Sequence, residues 1–351
     1  NISILASYFQ FELIKKLNLE NKTNNFVISP IGIELIISLC SNGAEGTTQQ
    51  QMIELLKHQT IDEVNNIAKK MLVESEKNEK VKIANGILTK INAEKNFFEK
   101  GTKDYEAKIE ILEDYNTVNK WVNEKTNGKI KSIIENLSPD VMIVLLNAIY
   151  FEAFWKEKFN INHTYEKEFF NIDNTKIYIN LMFLRGKPLN YYEDDIIKAV
   201  KLDYDIKDNS INAIVILPKN EDLLEKNMNE LIENLNEEIF YKIVDKLNEE
   251  NSKTKVNLYL PKFEIENNFN ISEILKNLGM VKAFMKEAEK NYDISKFNAN
   301  YPMLNELNKF GWFSNRLWTA AYYPNLFVIS VSFGDEDVKD MDYTNKNIEA
   351  L

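Results

Sequence analysis

Cysteine, histidine, glycine and proline are all scarce in this chain of 351 residues, and each scarcity excludes something. A single cysteine, Cys40, rules out an intramolecular disulfide and any CxxC metal or redox motif. It lies in the apolar run Ile36-Ile37-Ser38-Leu39-Cys40, where a small buried hydrophobe is expected and a nucleophile is not. The only histidines are His58 and His163, each among polar neighbours and read as a surface residue. Two unclustered histidines give no zinc set, and no GxSxG motif supplies a nucleophile for a Ser-His-Asp site. Neither GxGxxG nor GxxxxGK[ST] occurs, so nucleotide binding has no support. Ten glycines and seven prolines leave no room for collagen, long flexible linkers or low-complexity tails. Positive charge is also short, with 43 Lys+Arg against 54 Asp+Glu and a net charge of -11, which excludes a nucleic-acid backbone as partner. No apolar run approaches membrane-spanning length. The longest, residues 141–151, is 11 long and interrupted by Asn147, which suits a buried strand. No metal, no cofactor and no catalytic constellation is expected.

What is present is the composition of a globular protein, with 44% hydrophobic and 11% aromatic residues. Residues 2–17 carry apolar side chains at helical spacing. Ser29-Pro30 predicts a helix start, with Ser as N-cap and Pro at the first helical position, and the helix ends before Asn42-Gly43. Thr47-Thr48 with Gln50 and Gln51 have capping-box spacing and predict another helix, followed by one over 61–75. Residues 81–90 and 141–151 have the apolar density of buried strands, and 115–136 reads as helix broken at Asn127-Gly128. Strands over 198–204 and 211–218 flank a polar turn, 221–248 is one or two surface helices, 255–265 alternates as a strand, and 271–278 is helical. Helices first and strands later, with no repeat and no linker, predict one α+β domain over 1–351.

Several stretches in order resemble the serpin family. They are Asn25-Phe26-Val27-Ile28-Ser29-Pro30, Gly43-Ala44-Glu45-Gly46-Thr47, Ile83-Ala84-Asn85, and Val118-Asn119-Lys120-Trp121-Val122 with Thr126-Asn127-Gly128-Lys129-Ile130. Leu146-Asn147-Ala148-Ile149-Tyr150-Phe151 with Trp155 and Phe159, Ile214-Val215-Ile216-Leu217-Pro218, Leu260-Pro261-Lys262-Phe263 and Leu278-Gly279-Met280 continue the series. The resemblance covers 1–297. It implies a serpin-like fold with N-terminal helices, large mixed sheets and a reactive-centre loop near the C-terminus. It also implies an inhibitor of serine proteases, cleaved as a suicide substrate and then inserting its loop as a strand, with no catalytic residues of its own.

Residues 298–351 depart from the family pattern. Residues 305–311, ending in Gly311, resemble the acidic lead-in to the loop, but Trp312, Phe313 and Trp318 replace the small residues of a hinge. Each bulky misfit between packed strands costs about 1–3 kcal/mol, which disfavours insertion. Two scissile bonds stay open: Arg316–Leu317, which suits a trypsin-like protease, and Asn325–Leu326, reached by counting the usual loop length. The competing expectation is a serpin-fold binding, carrier or decoy protein that does not inhibit. The expected partner is a serine protease met by a monomeric inhibitor, with no membrane and no heparin-like activator. The chain starts at Asn1, and sequons at Asn21, Asn162 and Asn270 (a fourth, at Asn136, is spoiled by Pro139) favour N-glycosylation and an extracellular location.

Overall fold

The computed structural model describes residues 7–284, apart from short breaks at 21–24, 77–79, 92–94, 138–140, 172, 174, 208–210, 220–223, 264, 268 and 270, together with Asn315 and Arg316. Nine helices are described: α1 (Tyr8–Glu20), α2 (Pro30–Ser41), α3 (Gly46–Leu55), α4 (Ile61–Glu76), α5 (Lys95–Tyr105), α6 (Tyr115–Lys125), α7 (Leu224–Asn234), α8 (Glu237–Asn248) and α9 (Ser272–Asn277). The strands are β1 (Val81–Thr89), β2 (Lys108–Ile111), β3 (Ile143–Phe151), β4 (Thr164–Phe170), β5 (Lys176–Glu193), β6 (Ile197–Asp203), β7 (Asn212–Pro218), β8 (Lys253–Pro261), β9 (Glu266–Asn267) and β10 (Asn315–Arg316). The architecture is α+β, as the order of patterns predicts.

The helix α2 explains much of the core. Ser29 is extended (φ -108°, ψ 90°) and Pro30 holds the first helical position, although the Ser29 hydroxyl makes no capping hydrogen bond. All of Pro30–Ser41 is buried, Glu34 and Ser38 included, so this mostly apolar helix is covered on every side. Cys40 is fully buried, and loss of solvent pushes its thiol up to about 12, the inert role expected of it.

Two helix expectations need correction. The capping box at Thr47-Thr48 does not form. Gly46 takes φ +55°, which turns the chain into α3 one residue earlier and places both threonines inside its first turn. Gln49 instead donates to the carbonyls of Ser41 (3.0 Å) and Ala44 (2.9 Å), and the side-chain oxygen of Gln51 accepts from the N–H groups of Val281 and Lys282. The break predicted at Asn127-Gly128 is present, as both turn left-handed (φ 52° and 78°), but α6 stops at Lys125 and no helix resumes over 129–136. The segment beyond is tied back onto α6: the Asn119 oxygen accepts from Ile133 and Ile134, and the Thr126 hydroxyl from Ile130. Of the pattern over 2–17, residues 8–17 lie in α1, which runs on to Glu20, and residues 2–6 lie outside the described residues.

The sheets are two, with a two-residue pair besides. The first has the order β2-β1-β3, β1 running parallel to β2 and antiparallel to β3 over nine residue pairs. The second is antiparallel, in the order β4-β5-β6-β7, with β8 also on β5. The predicted hairpin is β6–β7, and the charged stretch before β8 forms two helices, α7 and α8. Periodicity does not mark β5, because its register shifts between Leu184 and Lys187, where Gly186 adopts φ 65° and donates its N–H to Asn257 (2.9 Å).

Apolar side chains gather in three clusters. One joins α1–α5 and the first sheet to the second sheet (β5, β6, β7 and β8) and α9, one lies between α1, β6–β7, α7 and α8 (with Phe11 against Phe240), and one beneath α6 on the opposite face of the first sheet. The third cluster is closed by Trp121, 1% exposed, whose ring lies where a Cβ on Gly86 would stand, at 2.7 Å. Replacing Gly86 with Ala is therefore expected to lower stability by about 2 kcal/mol. Urea unfolding should show a lower midpoint with an unchanged slope, and a midpoint equal to that of the wild type would refute the close packing.

Candidate functional site

Strand β3 carries a contradiction between its two edges. Its burial is nearly continuous, and its side chains serve both neighbouring clusters: Ile143, Leu145 and Phe151 on one face, Val144, Leu146 and Ala148 on the other. A strand buried on both faces normally sits inside a sheet. Yet among the described residues β3 pairs only with β1, and its second edge has no strand beside it. Such an edge presents N–H and C=O groups in a row, as a template for another extended segment.

The polar chemistry at mid-strand points to the same edge. Asn147 donates to the Asn85 oxygen (2.8 Å), and Asn85 donates to the Tyr105 carbonyl (2.7 Å). The Tyr105 hydroxyl donates in turn to Asn65 (2.6 Å), which exchanges hydrogen bonds with Asn42 at the end of α2. Burial raises the Tyr105 phenol above its ordinary range, so it remains a donor. The Asn147 oxygen, buried itself, has no hydrogen-bond donor among the described residues. Gly32 of α2 is opposite: a Cβ there would come within 2.5 Å of that oxygen. Among the described residues, the packed face beneath β3 thus lacks one donor.

The far end of β3 is anchored by rings. Phe151 meets Tyr204 edge-on at 4.9 Å, and Trp155 stacks on Tyr204 at 4.5 Å, bridging the chain after β3 to the end of β6. Trp155 also contacts Phe159 at 6.4 Å. Trp121 and Trp155 are both core residues, as their sequence context predicts, although the Trp121 N–H has no hydrogen-bond partner among the described residues.

Of the reactive-loop candidates, the structure describes Arg316 alone, and only its backbone. Asn315 and Arg316 form an antiparallel pair with Asn267 and Glu266. Gly311, Leu317, Asn325 and Leu326, with the bulky Trp312, Phe313 and Trp318, lie outside the described residues. Asn162 is exposed on a single 3₁₀ turn, held where the Asn160 oxygen accepts its backbone N–H (2.7 Å); Asn21 and Asn270 lie outside the described residues. The histidines are more covered than their polar neighbours suggest. His58 is half-buried, which lowers its pKa, and His163 is partly covered by a stacking contact with Tyr165. Among the described residues no three His, Cys, Asp or Glu side chains converge as metal ligands, and no helix is long and apolar enough to cross a membrane.

Residue patterns that sequence reasoning missed are the Asn42–Asn65–Tyr105–Asn85–Asn147 ladder and the elements α5, β2, β4 and β5. The one available signal was an asparagine inside the apolar run of β3.

Comparison with known proteins agrees with this geometry. The family described as "Serpin (serine protease inhibitor)" matches residues 5–302. A leukocyte elastase inhibitor of Xenopus laevis is 29% identical over 300 residues, covering 81% of this chain and 78% of the relative. Serpin B3 of Homo sapiens is 29% identical over 323 residues, covering 82% and 80% respectively. Among solved structures, the thermophilic serpin tengpin in its latent state superposes with a TM-score of 0.68 at 29% identity, covering 82% of this chain and 77% of that one.

Proposed function

The chain belongs to the serpin family, and from that premise we propose that it inhibits serine proteases as a suicide substrate. The observation that carries the reading is the edge of β3, buried on both faces and without a strand beside it among the described residues. The target's serine attacks the reactive bond and releases the downstream amine, leaving the upstream carbonyl as an ester on the enzyme. The freed upstream segment then adds to the β3 edge, where strand pairing engages the N–H and C=O groups of that side and draws the ester-linked protease with it. The inhibitor contributes a bond and an acceptor edge; no general base of its own takes part. Serpins are protease inhibitors and generally not catalytic enzymes, and this chain is read as conforming to that. We extend the reading to an extracellular site of action, supported by the exposed sequon at Asn162.

The reactive bond is either Arg316–Leu317 or Asn325–Leu326. Incubation with trypsin and with elastase is expected to give an SDS-stable complex with the matching enzyme. If the bond is Arg316–Leu317, Arg316→Ala lowers the rate of trypsin inhibition by roughly 100-fold or more, because the guanidinium fills the acidic specificity pocket. An unchanged rate of trypsin inhibition would refute Arg316–Leu317 as the reactive bond. Cleavage by every protease tried with no stable complex would refute the inhibitory reading. A second reading, a serpin-fold binding or carrier protein, is favoured by one specific observation: Trp312, Phe313 and Trp318 at the hinge are too bulky for easy insertion.

A further inference from the structure

At the opposite margin of the first sheet, β2 pairs with β1 on one side, and among the described residues no strand lies on its other side. Its four residues, Lys108-Ile109-Glu110-Ile111, are all exposed. Ile111, at 75%, is the most exposed large apolar side chain among the described residues, and Ile109 follows it along the same face at 40%. Edge strands usually carry charge or are covered, so two exposed isoleucines on one edge ask for a partner.

The backbone says which atoms are available. The Leu112 N–H donates to the Thr89 carbonyl, and the pairing is parallel, so Lys108 and Glu110 direct their peptide groups toward β1 while Ile109 and Ile111 direct theirs outward. Ala107, with the same outward direction, already donates its N–H to the Gly101 carbonyl (2.9 Å). The outward groups left are those of Ile109 and Ile111; pairing about Glu110 would set Glu110 against Glu110, whereas pairing about Ile109 sets unlike charges opposite. An antiparallel strand that sets Ile109 opposite its own Ile109 would make a hydrogen-bonded pair there and place Lys108 opposite Glu110 on both sides of the axis. That charge pattern is self-complementary under a two-fold rotation.

We propose that β2 is a self-association edge, pairing antiparallel with β2 of a second copy of this chain about Ile109. The occupant is a second copy because the strand's own order of charges supplies the complement. Lys125 of α6 stands beside Lys108, with Glu110 and Glu124 near it, so charges of both signs line this edge. With so short a ladder the interface is small and the dimer weak. It leaves the β3 edge untouched and does not depend on the inhibitory reading.

Sedimentation velocity on the full chain, from about 1 to 200 µM at low salt, tests the pairing. The wild type is expected to shift toward dimer as concentration rises. Ile109→Lys is expected to stay monomeric throughout, with an unchanged circular dichroism spectrum and melting temperature, since the side chain is exposed. Lys108→Glu alone and Glu110→Lys alone should each weaken association roughly tenfold by setting like charges opposite. The double swap Lys108→Glu/Glu110→Lys should restore it. A wild type monomeric at every concentration, Ile109→Lys dimerising like the wild type, or a double swap no stronger than the single variants would each overturn the proposal.

Discussion

Cutting the chain between residues 305 and 324 with a non-target protease is expected to raise the midpoint of thermal unfolding by roughly 20 °C or more, at about 2 °C per kcal/mol for a chain of this size. The gain comes from the β3 edge. Before cleavage, a strand buried on both faces has one side without a strand among the described residues, and the Asn147 oxygen has no donor among them. After cleavage, the released upstream segment can lie along that side, pair its backbone with β3 and bury its alternate side chains against the clusters on either face. The expected rise is large because a whole strand is added, and each paired residue contributes both hydrogen bonds and apolar burial. Differential scanning calorimetry of intact and cut protein, with the cut verified by mass, measures it. An unchanged or lower midpoint would mean that Trp312, Phe313 and Trp318 keep the strand out. The binding-protein reading would then replace the inhibitory one.

Glu34→Gln is expected to stabilise the protein at neutral pH and to remove a sloping limb from its pH–stability profile. Glu34 is buried inside α2, 2% exposed. One of its oxygens accepts from the Ser7 hydroxyl (2.8 Å) and the Gln10 amide (2.9 Å), while the other has no donor among the described residues. Burial is the largest influence and pushes the carboxyl up to about 6 against the two hydrogen bonds, and the Glu237 carboxylate adds to the rise. The folded state therefore holds the proton more tightly than the unfolded chain. Stability from this group is fully present below about pH 4.5, falls as pH rises to about 6, and stays low above that. The difference amounts to about 2 kcal/mol at pH 7, as an order of magnitude. Glutamine keeps an acceptor for Ser7 and Gln10 and carries no charge, so part of that deficit is recovered. Urea midpoints of both proteins from pH 4 to 8 are the measurement. Parallel profiles would show that Glu34 is not the titrating group.

The fold was legible where the physics is local. The buried helix after Ser29-Pro30, the strand over 141–151 and the β6–β7 hairpin follow from helix-start chemistry, apolar density and a polar turn. Local reasoning failed where a distant partner decides. Thr47-Thr48 satisfies the spacing of a capping box, but Gly46 turns the chain first, and Gln51 goes to the N–H groups of Val281 and Lys282 instead. β5 hides its strand character behind a bulge that Asn257, 71 positions away in sequence, stabilises. His58 and His163 have polar neighbours in sequence but are partly covered in space.

The candidate site divides in the same way. By itself the sequence determined that no intramolecular disulfide, nucleotide loop or triad motif is present, that the fold is α+β of the serpin kind, and that Trp312, Phe313 and Trp318 are bulky. Those are matters of residue type, order and volume. That the Asn147 oxygen faces Gly32 with no donor among the described residues, that β3 is buried on both faces beside an edge without a described partner, and that Lys108 and Glu110 flank an exposed Ile109 were decided by the tertiary structure alone. The reason is that an edge is defined by what lies beside a strand, and strand neighbours are chosen by packing between segments far apart in the chain.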